Sequence, residues 1–144
     1  MSAGKAEQSV LVDAPPKRCF EALLDYEGMP EWQSAVESVE VLSRDRSKRG
    51  REVAWEIDAK VRRVSYTLRY EYDPPRRIGI SFVEGDVKDV NGEYRFEADG
   101  KGTRVTLWME IDPGLWLPGK VKRMLSDQVM RGSLEDLKRH VETG

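Results

Sequence analysis

From Val36 to Ile111 the chain alternates apolar and polar residues with period two, segment after segment, and this pattern excludes most folds. Period two belongs to strands with one apolar and one wet face. Six such segments can be read: Glu37 to Ser43, Glu52 to Ala59, Arg63 to Tyr72, Arg77 to Glu84, Asp89 to Ala98 and Thr103 to Ile111. The connections "DRSKRG", "DAKVR", "DPPR", "EGDVK" and "ADGKG" are rich in turn formers, so neighbours are expected to pair antiparallel as a meander. One parity gathers Val53, Trp55 and Ile57; Val64, Tyr66, Leu68 and Tyr70; Ile78, Ile80 and Phe82; Tyr94 and Phe96; and Val105, Leu107, Met109 and Ile111. The other holds Glu52, Glu56, Asp58, Arg63, Arg69, Glu93, Arg95 and Glu97. A one-residue slip would bring Arg69 and Glu71 inside.

A sheet apolar on one face needs a cover. "QSVLVDA" reads as a first strand, with Val10 and Val12 sharing a face. Asp13 is the expected cap of a following helix, with prolines in its first turn and Phe20, Leu23 and Leu24 on one side. Gly28 and Pro30 end it, and a single turn from Pro30 to Ser34 carries Trp32 at a joint before the long strands. A closing helix begins near Pro118. On it, Leu117, Val121, Met124, Leu125 and Gln128 gather on one side, and Met130, Leu134, Leu137 and Val141 on nearly the opposite side. The change falls around Gly132, a residue that weakens a helix interior by ~1 kcal/mol relative to alanine. A kink there, two halves packing on different surfaces, and burial over one broad arc all fit. Residues 1–6 are expected to be a flexible tail and residues 7–144 a single α+β domain.

Charge and composition narrow the function. Among 144 residues, 24 Lys plus Arg face 26 Asp plus Glu, a formal charge of −2, which recruits neither nucleic acid nor an anionic surface through an overall field. The wet face is mixed in sign, so no nucleic-acid partner is expected. A lone cysteine, Cys19, excludes an internal disulfide and a cysteine-rich zinc site. No apolar run reaches signal-peptide or membrane-spanning length, so a cytoplasmic protein without an integral membrane segment is expected. The single histidine, His140, lies on the polar side of the closing helix, which argues against a Ser-His-Asp triad, a Cys-His pair and a His-rich metal site. No metal or cofactor is expected, and no glycine-rich phosphate loop opens a helix.

Three groups of residues keep a functional reading beside a plain one. Glu84 and Asp86 in "VEGD" could serve as general acid and base or form a solvated turn. Tyr66, Tyr70 and Tyr94, on the apolar parity, could orient a ligand or be ordinary core phenols. Lys120, Lys122 and Arg123, close after Trp116, could dock transiently on an anionic membrane or simply be exposed. Cys19 reads as a small core residue, and "RDRSKRGR", Arg44 to Arg51, as a solvated hairpin turn.

The segments "VDAPPKRCFEALLDYEGMPEW", "YEYDPPRRIGISFVEGDVKDVNGEYRFEADGKGTRVTLWMEID" and "LPGKVKRML…SLEDLKRHVE", in this order, resemble the helix-grip superfamily of START-like and birch-pollen-allergen-like proteins. Within it the likeness is to the polyketide cyclase/dehydrase and coenzyme Q-binding branch. The resemblance implies a seven-stranded antiparallel curved sheet wrapped around the C-terminal helix, with two short helices between the first two strands. It also implies a largely apolar cavity with its mouth at the end holding turns 59–62 and 85–88 and the "DPGLWLPG" connection. The expected lining is Trp32, Trp55, Tyr66, Leu68, Tyr70, Ile80, Phe82, Tyr94, Met109, Trp116, Val121, Met124, Leu125 and Gln128. Such a cavity would hold a hydrophobic small molecule, a polyketide, quinone or lipid, in a carrier or sensor. The alternatives are a polyketide aromatase/cyclase or dehydrase using cavity tyrosines, and a cavity filled by its own side chains.

Overall fold

The structure, a computed structural model, describes residues 5–58, 63–112, 114 and 118–143. Strand β1 (Lys5–Val12) leads to helix α1 (Pro16–Ala22) and a 3-10 helix, η1 (Tyr26–Glu31). Strands β2 (Val36–Arg44), β3 (Gly50–Asp58), β4 (Arg63–Asp73), β5 (Arg77–Gly85), β6 (Asp89–Asp99) and β7 (Gly102–Asp112) follow, and helix α2 (Gly119–Thr143) closes the chain. The strands form one seven-stranded antiparallel sheet in the order β1-β7-β6-β5-β4-β3-β2. This is the START/Bet v1 helix-grip fold that the resemblance implied, built on the antiparallel sheet that the alternation indicated. Of the expected tail, residues 1–4 lie outside the described residues, while β1 takes in Lys5 and Ala6.

The register puts the anticipated parity on one face. Val53 faces Leu68, Trp55 faces Tyr66 and Ile57 faces Val64 across β3 and β4; Ile78 faces Tyr94, and Phe96 faces Val105. Arg69 stays on the wet side, paired with Glu52 at 2.7 Å. No slip has occurred. One irregularity matters: between Thr67 and Leu68 the β4/β5 ladder shifts register, and Gly85 there has φ of +141°. Its missing side chain lets the β5 terminus lie against the Tyr66 backbone, where any Cβ would collide.

The two small helices differ from expectation. Pro15, not Asp13, occupies the N-cap of α1, and no side chain caps it, because proline at the first positions leaves fewer amides to satisfy. The Asp13 amide instead donates to the Glu142 carboxylate at 2.8 Å, tying α1's entry to the end of α2. Helix α1 stops at Ala22, and the turn expected at Pro30 to Ser34 is a 3-10 helix beginning at Tyr26, with the Asp25 carboxylate accepting from Gly28 N.

Helix α2 runs unbroken through Gly132. Ser126, Met130, Leu134, Leu137 and Val141 are its buried stripe, packed mainly against β1 and β7. The apolar stripe of its first half takes the other side: Val121 is half-buried, Gln128 exposed, and Met124 52% exposed. The change of face seen in the sequence is therefore a change from outward to inward along one helix. Gly132 sits on that outward side with open space where a Cβ would be. Gly132→Ala should raise the unfolding free energy by up to about 1 kcal/mol, since it removes a helix-weakening residue without a clash; a denaturant midpoint measures this.

Candidate functional site on the inward face

Packing on the inward face grades from one end of the sheet to the other. At the end of the β2–β3, β4–β5 and β6–β7 turns, Cys19, Phe20, Val53, Ile78, Phe96, Val105 and Leu107 are buried with Leu134 and Leu137 of α2. Phe20 packs edge-on to Tyr72 and Phe96, and the Tyr26 and Tyr72 hydroxyls share a 2.7 Å hydrogen bond. Tyr72 also donates to Gly50 O. That end is solid core.

Toward the opposite end the same strands bury their inward side chains less completely. Ile57, Tyr66, Phe82, Tyr94, Met109 and Ile111 are partly accessible, whereas Val53, Leu68, Ile78, Phe96 and Leu107 further down the same strands are buried; Val64 and Val90, opposite Ile57 and Ile111, are buried too and close part of this end. The β5/β6 ladder ends at Ser81↔Asn91, although β5 continues to Gly85 and β6 begins at Asp89, so the two strands part beside Phe82.

Helix α2 is held over this face by polar contacts on both flanks. Gln8, at an inward register position of β1, donates to the Asp127 carbonyl at 3.0 Å. From the loop between η1 and β2, Gln33 donates to the Ser133 carbonyl at 3.2 Å, and Ser34 donates through its amide (2.9 Å) and hydroxyl (3.0 Å) to Asp136. The Tyr94 phenol and Ser133 hydroxyl meet at 2.9 Å beneath the helix.

The phenols on this face are held neutral. Burial raises the pKa of Tyr66, with the neighbouring Tyr94 adding to it, and pushes Tyr70 well above its ordinary value. Burial also raises Tyr94, against the Ser133 hydrogen bond. The Trp55 indole lies close enough to the Tyr70 phenol to oppose its shift, yet outside hydrogen-bonding geometry. Among the described residues, Trp55 Nε1, Ser126 Oγ and Trp32 Nε1 are buried without a hydrogen-bond partner.

The family described as "Polyketide cyclase / dehydrase and lipid transport" matches residues 3–142. This chain belongs to it. Among solved structures, a START superfamily protein from Mycobacterium smegmatis superposes with a TM-score of 0.90 at 15% identity, covering 96% of this chain and 97% of its own. The Zhui aromatase/cyclase of Streptomyces sp. R1128 gives a TM-score of 0.81 at 22% identity, with coverage of 96% and 93%. A protein from Thermus thermophilus gives 0.77 at 27% identity, with coverage of 96% and 94%. No curated protein matches the sequence.

In this family member the expected lining does not stay together. Trp55, Tyr66, Leu68, Tyr70, Ile80, Phe82, Tyr94 and Met109 share the inward face of β3 to β7. Met124 and Gln128 turn outward with Val121 beside them, because the pins from β1 and from the loop after η1 set the rotation of α2 and direct Ser126 and Met130 inward instead. Trp116 and the Leu125 side chain lie outside the described residues. Trp32, expected as a wall, is partly buried and stacks on His140, ring centroids 4.3 Å apart and planes at 4°. His140, expected on a solvated side, is thereby half covered. Trp32 and His140 line a shallow pocket of about 260 Å³ with Pro30, Gln33, Ser34 and Arg139, at the joint of η1 and α2.

Glu84 and Asp86 are exposed; the Asp86 carboxylate accepts from Ser65 N at 2.9 Å while its amide donates to Ser65 O at 2.8 Å, a strand-end clasp. Cys19 is fully buried, and burial raises its thiol pKa. Sequence reasoning missed Gln8 and Ser126, though both carry a signal: Gln8 shares the parity of Val10 and Val12, and Ser126 stands four residues before Met130.

All five tyrosines have raised pKa values, Tyr72 to about 12, each chiefly through burial. Unfolding releases phenols that ionise near pH ~10, so the folded state binds more protons above that value. Their contribution to stability is whole below pH ~10 and is lost as pH rises through the folded values. An ultraviolet titration should show almost no tyrosinate at pH ~10.5 in folded protein, and denaturant midpoints should fall steeply from there upward.

Proposed function

We propose that this protein binds a hydrophobic small molecule, a polyketide, quinone or lipid, between the inward face of β3 to β7 and helix α2, as a carrier or sensor. The observation that carries this reading is the pairing of two properties in Tyr66 and Tyr94. Their surroundings are deep enough that burial raises both phenol pKa values, yet both keep accessible surface. Inward-facing side chains that keep such surface support a space between the sheet and α2. Ile57, Phe82, Met109 and Ile111 supply apolar wall around them, and the parting of β5 from β6 offers a way in. Burying ring or acyl surface there stabilises a complex by roughly 25 cal/mol per Å² before ordering costs.

A cyclase or dehydrase is the second reading, favoured by the family description and by phenols able to donate to a carbonyl. Proton abstraction works best with a group titrating near the working pH. The described inward positions of β3 to β7 hold apolar, indole and phenol side chains and the Thr103 hydroxyl, which is spent on the Ala14 carbonyl, and the raised phenols are poor bases. Binding is therefore the better supported role.

Native mass spectrometry of protein purified from its host, together with titration of a fluorescent polyaromatic probe, tests this. A stoichiometric bound or co-purified apolar molecule is expected. Phe82→Trp should weaken probe binding by about tenfold by filling the space while leaving the thermal midpoint within a few degrees. A protein that takes up no apolar probe, with Phe82→Trp no different from the parent, overturns the proposal. Cyclisation of a poly-β-ketone mimic that disappears in Tyr66→Phe would favour the enzyme.

A further inference from the structure

We infer that the outward face of α2 is a self-docking surface, on which two copies of this chain pair antiparallel about a two-fold axis at Gln128. The inference is independent of the binding reading above, because it concerns the side of the helix turned away from the sheet.

A surface helix ordinarily lays its apolar stripe on the core and leaves a polar one to water. The second half of α2 does so, with Met130, Leu134, Leu137 and Val141 buried. The first half keeps apolar side chains outside. Met124 is 52% exposed and Val129 45%, with Val121 half-buried beside them. Methionine is unbranched and adaptable, a side chain suited to filling a gap on another surface. Further along the same outward face, Gly132 leaves such a gap: it is exposed, and nothing lies within 4 Å of the place its Cβ would take.

Met124 and Gly132 each stand four residues from Gln128, which is exposed between them. Residues four apart share one face of a helix. In a two-fold pair residue i meets j and j meets i. An axis at Gln128 therefore seats Met124 of each copy over Gly132 of the other, where the missing side chain lets the two backbones approach.

Charge selects the same partner and the same direction. Among the described residues, the ion pairs within the second half of α2 are Lys138–Glu142 and Arg139–Asp136, which leaves Glu135 exposed and unpaired. Lys120 is exposed in the first turn. It stands eight residues before Gln128 and Glu135 seven after, so the axis brings each Lys120 opposite Glu135 of the other copy, within about 1.5 Å along the helix. At ~100° per residue both lie on the Met124 flank of the stripe. That flank meets itself in an antiparallel pair, giving two opposite-charge contacts where a parallel pair would set like charges together. A membrane surface would attract Lys120 and repel Glu135, and would gain nothing from the gap at Gly132.

Sedimentation equilibrium of the full chain, from micromolar to near-millimolar concentration, tests this. A reversible dimer is expected, with a dissociation constant on the order of tens of micromolar for so small an interface, weakening as salt is added. Gly132→Leu should raise that constant by about tenfold or more by filling the gap. Its thermal midpoint, read on dilute monomer, should stay level or rise, since the leucine has open space there and favours helix. Lys120→Glu and Glu135→Lys should each weaken the dimer by about two- to tenfold, because each spoils two contacts, and the two changes in one chain should restore it. Protein that stays monomeric at every concentration, a dimer that Gly132→Leu leaves intact, or a charge-swapped chain no better than its single variants overturns the inference. So does a monomer that collects on phosphatidylglycerol vesicles and loses that affinity in Met124→Glu, which assigns the face to a lipid surface.

Discussion

Everything in this molecule depends on how α2 is suspended. An apolar sheet face and an amphipathic helix are drawn together, since removing apolar surface from water is the main favourable term in folding. Here the helix is pinned from its flanks by directional contacts: Gln8 to the Asp127 carbonyl on one side, Gln33 and Ser34 to Ser133 and Asp136 on the other. A hydrogen bond has a fixed length, and buried donors such as Gln33 cannot give up their partners cheaply. The pins therefore set both the height and the rotation of the helix. Further along, where Leu134, Leu137 and Val141 meet the core, apolar packing takes over.

The gradient along the sheet follows from that arrangement. Close packing at the Tyr26–Tyr72 end provides the stability, with Gly50 near enough to the Tyr26 ring that a Cβ would lie 2.9 Å from it. At the other end the strands separate, Gly85 bends the β5 terminus against Tyr66, and the side chains keep accessible surface. One sheet thus carries a folding core and a less filled region in series. A substitution at Leu107 acts on the first, and one at Phe82 on the second.

The sheet was legible because six consecutive segments repeat one parity, so no single misread residue could shift the pattern, and the family resemblance agrees with it. The orientation of α2 was not. Its two apolar stripes, Val121–Met124–Gln128 and Met130–Leu134–Leu137, are equally plausible inward faces in sequence, and only contacts from β1 and from the loop after η1 choose between them. Trp32 illustrates the same limit: its partner, His140, is more than a hundred positions away and polar enough to read as solvent-facing. A single polar residue inside an apolar stripe, Gln8, holds one flank of α2. Patterns weigh such a residue least.

The chemistry of the inward face also bears on what the phenols can do. A tyrosine whose pKa is pushed upward by burial remains a donor across the physiological range, and its proton is harder to remove than that of a free phenol. Such a group can hold a carbonyl, and can polarise it, but cannot draw a proton from carbon. Any ring closure among the ketones of a bound polyketide would then have to come from the shape the walls impose and from donors stabilising an enolate formed elsewhere. Binding is the common requirement of both roles, and a carrier asks nothing more of these residues. The same donors that would steady a developing oxyanion suffice to hold a ground-state ketone, so a carrier and a shape-directed cyclase differ here by the source of one base, not by the architecture of the site.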